Sequence, residues 1–147
     1  MSSQSEMRQV IVLRRDLHMR QGKACAQTSH ASLGAFLKGA YTTSVSPDDF
    51  GHPECIAFEF PVNGYAAQWI QSAFVKIVVR VDSDEELLSE YQKIVDYNAT
   101  AEIQLPCALI TDAGRTEFKG IPTRTCFGVG PGPKELIDKF TGHLKLM

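Results

Sequence analysis

The chain has 147 residues, 44% hydrophobic and 22% charged, with a formal net charge of −2. This is the composition of one globular domain long enough to bury a core without staples, and no apolar run approaches the ~20 residues that a bilayer-spanning helix needs. The polar start Met1-Ser2-Ser3-Gln4-Ser5-Glu6 leads into no long apolar stretch of the signal-peptide kind, so a cytoplasmic protein without a membrane partner is expected.

The first strand is expected at 9–13, where Gln9, Val10, Ile11, Val12 and Leu13 form the continuous run of a strand covered on both faces. Arg14, Arg15 and Asp16 end it, and a short loop leads to a helix over 22–38. That helix start falls at the carboxyl end of the strand, the edge where open α/β sheets place ligands. Around the helix, Lys23, Gln27 and His30 share one stripe, flanked by Ala26, Leu33 and Leu37 on one side and Ala24, Ala31 and Ala35 on the other. Thr28 and Ser32 are expected to point the opposite way. A polar stripe between apolar ones suits a half-buried helix facing something polar; a snorkelling lysine and a satisfied core histidine would give the same pattern.

Gly39 ends the helix. Residues 41–53 form a weakly patterned surface loop, 54–60 a short extra strand by alternation, 61–64 a turn and 65–72 a short helix. Residues 74–81 are a second strong strand, rich in β-branched residues. Ser83 with Glu86 then makes a capping box, Asp84 and Glu85 complement the helix dipole, and Leu87, Leu88, Tyr91, Ile94 and Val95 give the buried face of the helix. Residues 105–111 are a third strand, running into the turn Asp112-Ala113-Gly114-Arg115-Thr116. A fourth strand occupies 123–129, and Gly130-Pro131-Gly132-Pro133 opens a last helix, with Pro133 in its first turn, that Gly142 ends before an apolar tail.

Charge is uneven along this order. Residues 1–39 carry six Lys/Arg against two Asp/Glu, residues 40–112 three against twelve, and residues 113–147 six against three. If the fold joins the ends, Arg14, Arg15, Arg20, Lys23, Arg115 and Arg124 give a positive face, the footprint of a phosphate-bearing partner; surface lysines scattered in space would give the same counts. Cys25, Cys55, Cys107 and Cys126 have no metal-ligand spacing and are expected to be reduced, mostly buried thiols. No glycine-rich phosphate loop, zinc pattern or Ser-His-Asp elbow is present, so no metal or other cofactor is expected.

Asp112 lies just past a buried strand, where a carboxylate can be held rigidly and still reach a ligand; an Asx-turn acceptor would occupy the same place. Thr116 and Thr125 bracket the excursion after it and can present hydroxyls there, or simply reflect β-propensity. Arg115 can bind phosphate or be merely exposed.

Gly22-Lys23, Ala26-Gln27, His30-Ala31, Asp112-Ala113-Gly114-Arg115-Thr116, Thr123, Thr125-Cys126, Gly128-Val129-Gly130-Pro131 and Thr141-Gly142-His143-Leu144-Lys145-Leu146, in that order, resemble the type II peptidyl-tRNA hydrolases. The resemblance covers 7–38 and 74–147 and leaves an atypical insert at about 39–73. It implies a single α/β domain with a four-stranded mixed sheet flanked by helices, a homodimer, and hydrolysis of the ester between a peptide and the 3′ ribose of tRNA. The implied active-site set is Lys23, Gln27, His30, Asp112, Thr116 and Thr125. Gln21 stands where many members have a second lysine.

Ester hydrolysis needs a nucleophilic water and a place for charge on the carbonyl oxygen. Asp112 is the candidate to orient or deprotonate water and Lys23 to stabilise the oxyanion or a phosphate. Gln27 and His30 position these groups or the terminal adenosine, and Thr116 and Thr125 supply hydrogen bonds. A Lys23–Asp112 pair would depress the aspartate pKa and favour water orientation. Lys23, His30, Asp112 and Thr116 are accordingly expected around one cleft at the strand ends. The alternative is a module of the same fold that binds tRNA or an acylated nucleotide without cleaving it.

Overall fold

The computed structural model describes residues 5–45 and 55–147. In chain order the elements are β1 (Met7–Arg14), α1 (Gln21–Lys38), β2 (Tyr41–Val45), β3 (Cys55–Glu59), α2 (Tyr65–Ile70), β4 (Val75–Val81), α3 (Asp84–Thr100), β5 (Cys107–Asp112), β6 (Thr123–Pro133), α4 (Lys134–Thr141) and β7 (Lys145–Leu146). The main sheet has the order β5-β6-β1-β4-β7, with β1 and β4 parallel and the other neighbours antiparallel. The mixed α/β architecture is as expected, but with five strands where four were expected. The apolar tail supplies the fifth, because Leu146 and Lys145 pair with Val79 and Arg80 along the otherwise open side of β4.

The unbroken apolar run of β1 reflects a strand covered on both faces. Val10 and Val12 face one side with Val79, Val81, Leu87, Ile94, Leu105, Phe127, Val129 and Ile137, where α3 and α4 pack. Ile11 and Leu13 face the other with Ala31 of α1 and Cys126. Gln9 is the buried polar member of the run, and α1 explains it: its amide donates to the carbonyls of Ser32 (3.0 Å) and Gly130 (3.2 Å) and accepts from the Ser32 hydroxyl. One side chain thus ties β1, α1 and β6 together, every hydrogen bond replacing one lost to water.

Helix α3 begins as its capping residues dictate, with the Ser83 hydroxyl accepting from the Glu86 N–H at 3.1 Å and the Glu86 carboxylate from the Asp82 N–H at 2.8 Å. Leu87 and Ile94 are buried, whereas Val95, expected on the same face, is exposed. Strand β6 is longer than expected and runs through the glycine and proline residues to Pro133, which caps α4 instead of lying in its first turn. Pairing with the start of β1, Met7 to Pro133 and Arg8 to Gly132, holds that extension in the sheet.

In the 39–73 region, Tyr41–Val45 is a strand and not a loop, forming a two-stranded antiparallel sheet with β3. The rest of that expected loop, 46–53, lies outside the described residues. All four cysteines are free, but Cys25 and Cys55 are exposed. Only Cys126 is fully buried, and burial pushes its thiol up to about 11.

What places α1 is the absence of side chains beneath it. A Cβ on Gly128 of β6 would lie 2.4 Å from the Ala31 carbonyl oxygen, and one on Gly34 of the helix 3.2 Å from the Ala108 Cβ of β5. The helix therefore rests on the sheet through Ala31, Gly34 and Ala35, closer than larger residues permit. Gly128→Ala is expected to push the helix away and to destabilise the fold by about 1–3 kcal/mol, the usual scale of overpacking. Urea unfolding of the two proteins measures the difference.

Candidate active site

At the carboxyl ends of β1 and β5 the first two turns of α1 meet the end of β5. Asp112 is the last residue of β5 and pairs with Thr123 in the ladder, so the sheet fixes its backbone. The Lys23 ammonium donates to Asp112 Oδ1 at 2.6 Å and to Thr116 Oγ1 at 3.1 Å. Gln27 Nε2 donates to the same Oδ1 at 3.2 Å, and the Gly114 N–H donates to Oδ2 at 2.9 Å. Side-chain exposure is 13% for Lys23 and 14% for Asp112, so the pair is shielded but open to solvent on one side.

The last of these bonds is the Asx-turn contact open from sequence. It coexists with the ion pair: one oxygen holds the turn and the other meets the helix. Gly114 is required here, since its φ is +79° and a Cβ would lie 2.5 Å from the Ile121 carbonyl oxygen.

Behind the pair lies a buried relay. The Thr125 hydroxyl, completely buried on β6, donates to Gln27 Oε1 at 2.6 Å, and the Cys126 thiol donates to the Gln27 backbone carbonyl at 3.3 Å. With its oxygen engaged by Thr125, the Gln27 amide must turn its NH2 toward Asp112. Thr125 thus acts through Gln27 and stays away from solvent. The donors decide the electrostatics: the Lys23 bond chiefly, with the Gly114 N–H and Gln27, holds the Asp112 carboxyl below the usual carboxylate range against the opposing effect of burial.

The other expected residues are placed differently. His30 is exposed, and none of these hydrogen bonds runs to it. It sits about 60° around the helix from Gln27 and a turn farther from Asp112. Thr28 and Ser32 do not face away from the protein; with Leu33 they line an apolar groove beside β4.

The arginines do gather near the strand ends, but acids from the same edge accompany them. Arg14 meets Asp16 at 2.7 Å and Asp84 at 3.3 Å, and also donates to the Arg124 carbonyl. Arg124 pairs with Asp84, whose carboxyl it holds below the usual range. Arg15 pairs with Asp82 at 2.8 Å, and Arg20, 85% exposed, approaches Glu117 at 3.7 Å. Arg115 is exposed and has no ion pair among the described residues. The positive face inferred from block charges is therefore largely neutralised by Asp82, Asp84 and Glu117. Sequence reading missed Phe118, whose ring centroid lies 5.8 Å from Lys23 Nζ. The available signal was an aromatic residue two positions after Thr116 in an otherwise polar turn. Among the described residues no group of three or more His, Cys, Asp or Glu is arranged to hold a metal.

Comparison with known proteins places this chain in a family. The model of the family described as Peptidyl-tRNA hydrolase PTH2 matches residues 7–147, a span that includes 39–73. A peptidyl-tRNA hydrolase of Sulfurisphaera tokodaii is 37% identical over 138 residues, covering 94% of this chain and 96% of the relative. One from Methanocaldococcus jannaschii is 36% identical over 141 residues, covering 96% and 100%, and one from Methanococcus maripaludis is 37% identical over 139 residues, covering 95% and 97%. With the match running over nearly the whole length of both partners, this chain belongs to the peptidyl-tRNA hydrolase PTH2 family.

Proposed function

We propose that the chain hydrolyses the ester between a peptidyl group and the 3′ ribose of tRNA at the Lys23–Asp112 cleft, acting as one domain. The observation that carries the site assignment is the 2.6 Å Lys23–Asp112 contact held from behind by Gln27 and Thr125. A binding module without turnover is not favoured, because the family and the relatives are named for the hydrolase.

Counting donors and acceptors gives the division of labour. A carboxylate offers about four acceptor sites. Lys23 and Gln27 take two on Oδ1 and Gly114 one on Oδ2, which leaves one on Oδ2 to orient a water. Because its pKa is held down, Asp112 is a poor proton acceptor near neutrality, and its role is to align the attacking water. An ammonium has three donors. Asp112 and Thr116 take two, and the third is available to the oxygen that becomes negative as the tetrahedral intermediate forms. The Thr116 hydroxyl, accepting from Lys23, keeps its own proton to donate to substrate. His30 and the exposed Arg15, Arg20 and Arg115 contact tRNA at the rim, whereas Arg14 and Arg124 hold the strand ends through Asp84. Since translation produces the substrate, the cytoplasm is the place of action.

We also propose that the chain forms a homodimer. Leu33, Ile70 and Phe74 are exposed by 58%, 52% and 48% around an apolar groove of about 400 Å³ between α1, α2 and β4. Such a contiguous apolar patch marks an interaction face, and a second copy satisfies it by the commonest symmetry, a two-fold axis.

Two experiments test these readings. Asp112→Asn is expected to lower turnover by at least ~10²-fold, the scale of a positioned acid-base group, with little loss of tRNA binding, while Lys23→Ala lowers both. Intact turnover in Asp112→Asn would leave Asp112 as a turn residue only. Sedimentation is expected to give twice the 16.2 kDa chain mass for the native protein and one chain mass for Leu33→Glu. A native protein that stays monomeric at high concentration would refute the dimer.

A further inference from the structure

The turn after β5 carries an aromatic ring that neither the core nor the ion pair requires. Phe118 is only half-buried and belongs to neither hydrophobic cluster. Its backbone and that of Lys119 both lie in the left-handed region, with φ of 65° and 53°, although neither residue is glycine. Such a conformation persists only where its surroundings enforce it. Here the Gly120 N–H donates to the Gly114 carbonyl at 2.9 Å and the Ile121 N–H to the Phe118 carbonyl at 3.0 Å, closing the loop on itself. The ring is thereby held with its centroid 5.8 Å from Lys23 Nζ, beside the proposed reacting groups.

Its neighbours suggest what the ring meets. Arg115 and Lys119 are exposed on the same loop, Arg20 lies close by, and the one acid there, Glu117, is engaged by Arg20. An aromatic platform among cations is the arrangement that binds an unpaired nucleotide, through stacking on the base and attraction of its phosphates.

We propose that Phe118 is the stacking platform for the base of the unpaired 3′-terminal nucleotide of tRNA, beside the Lys23–Asp112 cleft. The assignment rests on the peptidyl-tRNA reading and deepens it. Stacking the base anchors the 3′ end of the substrate beside Lys23 equally before and during the reaction, so it contributes affinity without acting on the scissile carbonyl. Arg115 and Lys119 attract the phosphates that follow. Loop closure pre-orders the ring, so the substrate does not have to order it on binding.

The test uses Phe118→Leu, which keeps an apolar side chain but has no π face, and Phe118→Trp, which restores and enlarges one. Binding is measured with two probes: deacylated tRNA with an intact 3′ end, and the same tRNA shortened by its terminal nucleotide. Phe118→Leu is expected to weaken binding of the intact tRNA by roughly 5- to 100-fold, the range of one base–aromatic stack. Phe118→Trp recovers native affinity, and neither variant changes affinity for the shortened tRNA. On peptidyl-tRNA the Leu variant raises KM and leaves kcat nearly unchanged. Unaltered binding of intact tRNA by the Leu variant would overturn the proposal, as would equal losses in the Leu and Trp variants. A loss seen with peptidyl-tRNA but not with deacylated tRNA would also overturn it, since the ring would then contact the peptide. Because the binding arm involves no ester, its outcome is independent of whether the native protein cleaves peptidyl-tRNA.

Discussion

The close seating of α1 on β6 is the constraint on which the site depends. Gly128 offers no Cβ, Ala31 and Ala35 offer only methyl groups, and the helix backbone comes down almost onto the strand. At that separation the next turn of the helix brings Gln27 against Thr125 and Cys126, and the turn before it brings Lys23 to Asp112. A larger residue under the helix would lengthen all these contacts together, because the helix moves as a rod. The small-residue seam is thus where packing becomes chemistry.

The polar groups above the seam form a hierarchy. Thr125 is buried and has one task, fixing the Gln27 amide, which fixes one oxygen of Asp112. The Gly114 N–H fixes the other oxygen. Each partner removes a freedom that the carboxylate would otherwise have, and all the donors favour its ionised form. Such a carboxylate is suited to hold a water and ill suited to take its proton. Substituting Gly128 and substituting Asp112 therefore probe the same construction, one through its foundation and one through its end.

Much of this was legible in the sequence. The apolar run of β1, the capping box of α3 and the strand character of β4 are local patterns that packing reinforces. Helix spacing and strand-end position led to the expectation of Lys23, His30, Asp112 and Thr116 around one cleft, and the family resemblance added Gln27 and Thr125. His30 shows where that argument stops. Helical periodicity puts it in the stripe with Lys23 and Gln27 but cannot say which part of the stripe faces the sheet. The small residues Ala31, Gly34 and Ala35 decide that, and they turn His30 outward while Leu33 lines a groove on the surface. The two-residue strand β7 and the extension of β6 through Pro133 were hidden for a different reason. They exist because a neighbouring strand offers unpaired backbone groups, which is information carried by β4 and β1, not by the segments themselves. The ion pairs of Arg14, Arg15, Arg20 and Arg124 were equally invisible, since block charges record sign and not pairing.

The central claim is that Asp112 works as an ionised, water-orienting carboxylate whose charged form Lys23 favours. The pH dependence of kcat/KM for peptidyl-tRNA hydrolysis by the native protein tests it most directly, because that profile reports the free enzyme's essential ionisations. A carboxyl held below its usual range loses its charge only when the pH falls through that lowered value. Activity on the acid side is therefore predicted to hold from neutrality down to about pH 4, near the ordinary aspartate pKa, and to fall only below it. An acid limb centred near pH 6 to 7 would contradict the account, since it would require an essential group that gains its proton near neutrality and not a carboxyl held below its usual range.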